Sequence, residues 1–251
     1  VVGIYIEKIS LVASQSACAK YSWKDRGRAP AGYNKGMALS FARSLCREKG
    51  LLSLSSPAAV MAKAKTSDAT KDALAHYETT FDALKMEIDH AGEETMQSLY
   101  ALGVGLGMRE SSGKYCEGWD TTASDQTAST AETGLFQVSY NSISATSELT
   151  KLYNEYKADE SRCYLATYSE GAVCKTQSYV GTGAGLDFQK FTRRCPAFAA
   201  EYAMTLARVL RKHWGPLNRK EAEVTANCNS MLEDVRRLVD EDPANACRDV
   251  R

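Results

Sequence analysis

Glu110 stands inside GMRESSGKYCEGWD (107–120), where an apolar, glycine-punctuated run gives way to serine, glycine and cysteine. A helix over the run from Glu93 brings this glutamate to its C-terminal end. There the helix dipole is partially negative, and Leu106 and Met108 limit hydration. Both effects disfavour the carboxylate and raise its pKa, as suits a general acid. Cleavage of a glycosidic ether needs such an acid and commonly a second carboxylate. Glu117, Asp120, Asp125 and Glu132 follow as candidates for that second group.

A second segment, AETGLFQVSY (131–140), adds residues fitted to a sugar. Gly134 lets a backbone come close where a Cβ would clash. Gln137 offers a donor and an acceptor to hydroxyl or acetamido groups. Phe136 can shield Glu110 from water or simply fill the core. Glu110-Ser111 followed by Gly134-Leu135-Phe136-Gln137-Val138 resembles the lysozyme-like peptidoglycan glycosidases, which include goose-type lysozymes and soluble lytic transglycosylases. The resemblance is strong over about 96–141, loose to about 215 and absent before 65. The family's third element has a loose counterpart in Ser178-Tyr179-Val180-Gly181-Thr182-Gly183.

The resemblance implies a mainly helical, lysozyme-like fold with long active-site loops and at most a small hairpin. It implies cleavage of the β-1,4-linked amino-sugar backbone of peptidoglycan, with Glu110 as general acid and no cofactor or metal. Ser111, Gly134, Phe136 and Gln137 become substrate-binding candidates. Trp119, Tyr140 and Tyr179 join them as aromatic faces for sugar rings. Two departures touch the second carboxylate. Goose-type lysozymes have Asp where Ser139 stands, and transglycosylases often have Gly-Ala where Ala131 and Glu132 stand. Asp120 is the first choice, because it closes the Tyr-Cys-Glu-Gly-Trp turn that Cys116 can hold rigid; Glu132 and Asp125 follow.

A transglycosylase would use Glu110 alone and leave anhydro ends, whereas an inverting hydrolase needs the second acid. The acids between 117 and 132 favour hydrolysis, and they would also suit the ammonium group of a partly deacetylated glycan. A rival from another class is a cell-wall-binding protein without turnover. Lys24, Arg26 and Arg28 read as a solvated basic cluster that could meet peptide-stem carboxylates. Arg193-Arg194 reads the same way, and His213 is assigned no chemistry.

The elements that must position these groups read as helices. Asn34–Lys49 has an apolar face and Gly50 as a C-cap. A helix is expected over 55–65, begun by Ser-Ser-Pro with Pro57 in its first turn, and an amphipathic one over 68–90. Residues 93–108 describe a helix buried on most sides, and further helices are expected over 196–214 and 222–239. Regions 111–148 and 157–195 read as long irregular loops, the usual place for binding and chemistry. Residues 1–65 are expected to form a helical extension packed on a catalytic domain of 66–251, the two making one integrated unit.

Composition narrows the rest. Thirty-one basic and 31 acidic residues cancel, which argues against general affinity for nucleic acid or anionic membranes. No run reaches the roughly 18–20 apolar residues of a spanning helix, and a monomer is expected. Cys18, Cys46, Cys116, Cys163, Cys174, Cys195, Cys228 and Cys247 contain no C-x-x-C and only three histidines accompany them, which disfavours a zinc site. Their even number suggests disulfides in a secreted or periplasmic protein. Cys163–Cys174 and Cys18–Cys46 are the favoured pairs. The chain begins with Val rather than Met, so a processed chain whose export signal has gone is expected.

Overall fold

The computed structural model describes residues 3–176 and 178–251. Val1 and Val2, part of the apolar opening stretch, lie outside the described residues. The fold is mainly α. Its helices are α1 (Ile4–Gln15), α2 (Ala17–Lys20), α3 (Ala31–Glu48), α4 (Ser56–Met61), α5 (Ala73–His76), α6 (Glu78–Ala83) and α7 (Glu93–Ser111). They continue as α8 (Ser147–Ala158), α9 (Leu165–Tyr168), α10 (Gly183–Arg194), α11 (Pro196–Ala207), α12 (Gly215–Asn218), α13 (Ala226–Glu241) and α14 (Pro243–Val250). Extended pairing among the described residues is limited to two isolated bridges, Trp23 with Gly27 and Thr133 with Val138.

The first 65 residues supply the middle of the molecule. α3 is buried from Gly32 to Arg47 except at Lys35, and packs against α1, α4, α7, α9, α11, α13 and α14. Its two arginines would be costly there without partners. Arg47 binds both oxygens of Glu201 on α11 at 3.0 Å and reaches Glu155 on α8 at 2.6 Å. Arg43 donates to the Val250 carbonyl at 2.8 Å and to the Tyr156 hydroxyl at 2.9 Å. One polar seam thus joins the centre of the fold to α8, α11 and the last helix.

α7 is the second buried helix, and its glycines allow close neighbours. A Cβ on Gly105 would collide with the Glu223 carbonyl, and one on Gly107 with the Tyr33 hydroxyl. That hydroxyl donates to the Val104 carbonyl at 2.6 Å, which locks α7 onto α3.

The helix expected over 68–90 is broken. Asp72 is drawn into a buried ion pair with Arg208 at 2.8 Å and also accepts from Thr66 N–H and Leu74 N–H. A carboxylate held this way caps a new helix at Ala73 instead of continuing an old one. α6 then ends before Lys85, whose φ is +54°. The second region read as an irregular loop contains α9 and α10, and α8 spans the interval between the two regions. Residues 4–15, to which no element was given, form α1.

All eight cysteines pair, in a pattern the sequence did not reveal: Cys18–Cys228, Cys46–Cys247, Cys116–Cys174 and Cys163–Cys195. The expected Cys163–Cys174 and Cys18–Cys46 bridges do not form. Cys163 abuts the start of α11, with α9 occupying the chain between it and Cys174. Cys18 and Cys46 each face a C-terminal helix, α13 and α14. Four disulfides fit an oxidising compartment, and among the described residues no helix is long and apolar enough to cross a membrane.

Candidate active site

The last turn of α7 is tied off from three directions. Ser112, at φ +55°, caps it and donates its N–H to the Met108 carbonyl at 3.0 Å. Arg26 donates to the Arg109 carbonyl at 2.9 Å, which satisfies an acceptor the helix leaves open. Ser111 is buried, and its hydroxyl lies 3.1 Å from the Gly107 carbonyl oxygen and 2.8 Å from that of Leu135. Glu110 emerges, half-buried, between these anchors.

Burial pushes the Glu110 carboxyl up to about 8, and the nearby charge of Glu132 pushes in the same direction. Arg26, Arg219 and Arg109 act against the shift without cancelling it. Glu132 is itself raised to about 7 by desolvation; protein crowds it although its side chain keeps 48% of its surface in solvent. Two carboxyl groups that influence each other and titrate near neutrality can divide the roles of proton donor and proton acceptor.

Asp120, the first choice from sequence, is not part of this pair. It is exposed, and its carboxylate accepts from the Thr122 N–H at 2.9 Å and the Thr122 hydroxyl at 2.6 Å. Those bonds hold it below the usual carboxylate range. Asp125 is exposed in the same loop with φ +61°. Glu132, ranked behind Asp120, is the acid whose charge acts on Glu110.

The second motif is a tight turn bridged by Thr133 and Val138, and its neighbours hold it by its carbonyls. Trp214 Nε1 donates to the Phe136 carbonyl at 2.8 Å, and His213 Nε2 lies 2.9 Å from that of Gln137. The His213 side chain keeps only 8% of its surface in solvent, and desolvation lowers its pKa, so the neutral ring donates one N–H to that carbonyl. The same nitrogen lies 3.8 Å from Glu132, and with the ring neutral the contact is not an ion pair. Sequence reasoning missed these two clamps, because a His-Trp pair at a helix end carries no motif.

Several expected sugar contacts face inward instead. Gly134 (φ +81°) does permit a close approach, but a Cβ there would lie 2.9 Å from the Thr192 carbonyl oxygen, so the close partner is α10. Phe136 is fully buried in the core. Gln137 is 8% exposed, and its side-chain amide donates back to the Gly134 carbonyl at 3.1 Å. Tyr140 packs on Phe188 with ring centres 5.7 Å apart and stays partly exposed. Trp119 is half-buried, and its Nε1, shielded from solvent, has no hydrogen-bond partner among the described residues. Tyr179 is 39% exposed beside Arg193.

A cavity of about 530 Å³ lies away from the carboxyl pair, lined by Val60 of α4, by Lys71 and by Val209 after α11. Among the described residues no group of three His, Cys, Asp or Glu side chains is placed to hold a metal ion. Compared with models of protein families, with curated proteins and with solved structures, the chain finds no match.

Proposed function

We propose that the chain is a glycoside hydrolase that cleaves the β-1,4-linked amino-sugar backbone of peptidoglycan. The observation that carries this reading is the coupled pair at the end of α7: Glu110 raised to about 8 beside Glu132 at about 7. At neutral pH Glu110 keeps its proton and donates it to the bridging oxygen as the glycosidic bond breaks. Glu132 ionises first and takes a proton from the attacking water. The order of the two motifs, Glu-Ser and then Gly-Leu-Phe-Gln-Val, supports the choice of substrate. The charges acting on Glu110 are those of the acid Glu132 and of the cations Arg26, Arg219 and Arg109, the last two paired with Glu221, so the surroundings are of mixed sign and favour neither an acetylated nor a deacetylated glycan.

A transglycosylase is the second reading, favoured by the partial exposure of Glu132, which leaves Glu110 as the better-sheltered acid. Incubating peptidoglycan with the unaltered chain, Glu110→Gln and Glu132→Gln, followed by mass analysis of the products, separates the cases. Hydrolysis predicts reducing ends and loss of activity in both variants. Transglycosylation predicts anhydro ends and an active Glu132→Gln chain. Equal activity of Glu110→Gln and the unaltered chain would reject the enzyme reading in favour of a wall-binding protein.

A further inference from the structure

α10 ends in Lys190, Arg193 and Arg194, and these three cations line an open cavity of about 480 Å³. The Cys116–Cys174 bridge forms part of its wall, and Tyr115, Leu165 and Tyr179 supply apolar faces. Leu165 and Tyr179 keep 40% and 39% of their surface in solvent. Among the described residues no acidic side chain lines the cavity. Arg194 is paired with Glu160 at 3.0 Å, whereas among the described residues neither Lys190 nor Arg193 forms an ion pair.

Arg193 is held in place rather than waving in solvent. Its Nε donates to the Cys116 carbonyl at 3.0 Å, and its guanidinium lies 5.2 Å from the centre of the Tyr179 ring. Lys190 Nζ lies 5.7 Å from the same ring centre. Arg193 and Arg194, in the last turn of α10, complement the helix dipole, which explains their sign. It does not explain two unneutralised cations gathered at one exposed aromatic ring. A positioned guanidinium binds a carboxylate through parallel N–H bonds, and a tyrosine face accepts the apolar side of a sugar.

We infer that this cavity binds a carboxylate carried on a sugar, with the ring against Tyr179 and the carboxylate on Arg193 and Lys190. In the substrate proposed above, that group belongs to a muramic-acid unit or its attached peptide. The sugar half of the assignment rests on the glycan reading; the anion half does not. The cavity is connected to the carboxyl pair through Gly134, two positions after Glu132: Thr192, next to Arg193, packs on Gly134, whose N–H donates to the carbonyl of Glu117, the neighbour of Cys116, at 2.8 Å. Binding energy gathered here would help to fix the scissile bond at Glu110.

The test uses the Glu110→Gln chain, so that turnover does not consume the ligand, and follows backbone amide NMR shifts. N-acetylmuramoyl dipeptide should shift Leu165, Cys174, Tyr179 and Lys190 at millimolar concentration, and neutral N-acetylglucosamine trisaccharide should leave them in place. Lys190→Glu, at an exposed position that spares the fold, should weaken the dipeptide about tenfold or more, and Tyr179→Ala should weaken it as well. Equal shifts from the neutral trisaccharide, no response around the cavity, or equal affinity for inorganic phosphate or a short oligonucleotide would overturn the assignment. Residual cleavage by Glu110→Gln would reject the acid role and leave these binding outcomes to be judged separately.

Discussion

The Ser111 hydroxyl lies 2.8 Å from the carbonyl oxygen of Leu135, so the residue after the acid is fastened to the centre of the second motif. Two segments more than twenty positions apart thereby behave as one part. Ser111→Ala should strand the buried Leu135 carbonyl and cost about 1–3 kcal/mol of stability. Denaturant titration checks the cost. Activity should fall by more than the stability loss explains, because Glu110 and Glu132 lose their common brace.

Turnover should follow a bell in pH. The acid limb reports Glu132 losing its proton near 7, and the alkaline limb reports Glu110 losing its own near 8, as apparent values of the pair. Glu132→Gln removes a like charge, so any remaining alkaline limb should move to lower pH. An alkaline limb unchanged in that variant would show that the two groups do not interact.

Glu110 also makes a prediction for stability, with a definite sign. Its folded value of about 8 lies above its ordinary 4.5, so the folded state holds the proton more tightly. Stability is therefore unaffected by this group below about pH 4.5 and declines as pH rises toward 8. Glu110→Gln removes that decline. Its melting temperature should match the unaltered chain at pH 4 and exceed it at pH 9 by roughly 2–4 °C for each kcal/mol recovered. Calorimetry at the two pH values decides the matter.

Glu201 offers a control far from the chemistry. Its replacement by Ala leaves Arg47 buried with only Glu155 to neutralise it, which should cost about 3–5 kcal/mol. Chemical unfolding measures the loss. If the variant stays folded, its pH profile for turnover should keep the shape seen in the unaltered chain.

What was legible in the sequence follows from whether a feature is local. α3, α7 and α11 announce themselves through apolar faces and through Gly50 and Pro196 at their ends. The place of Glu110 at the end of α7 was legible for the same reason, because helix end and apolar flank sit in one short stretch. α8 carried a usable signal in Leu149, Leu152, Tyr153 and Tyr156 behind the cap Thr146, obscured by the polar, turn-rich residues around it. The break at Asp72 was not legible, because Arg208 makes it from 136 positions away. The disulfide pattern was hidden likewise, since eight cysteines allow on the order of 100 pairings and only the packing of α13 and α14 selects among them. Glu132 lost to Asp120 because rank by turn chemistry says nothing about which acid the folded chain brings beside Glu110.

Cys18–Cys228 and Cys46–Cys247 fasten an early part of the chain to a late one. A protease that nicks the exposed Asp120–Asp125 stretch therefore produces no separable fragments, since the pieces on either side of the cut stay covalently joined. Such a nicked molecule would run as a single species until a reductant is added. In surroundings rich in peptidases, that gives the protein a tolerance to damage that does not depend on how fast it unfolds.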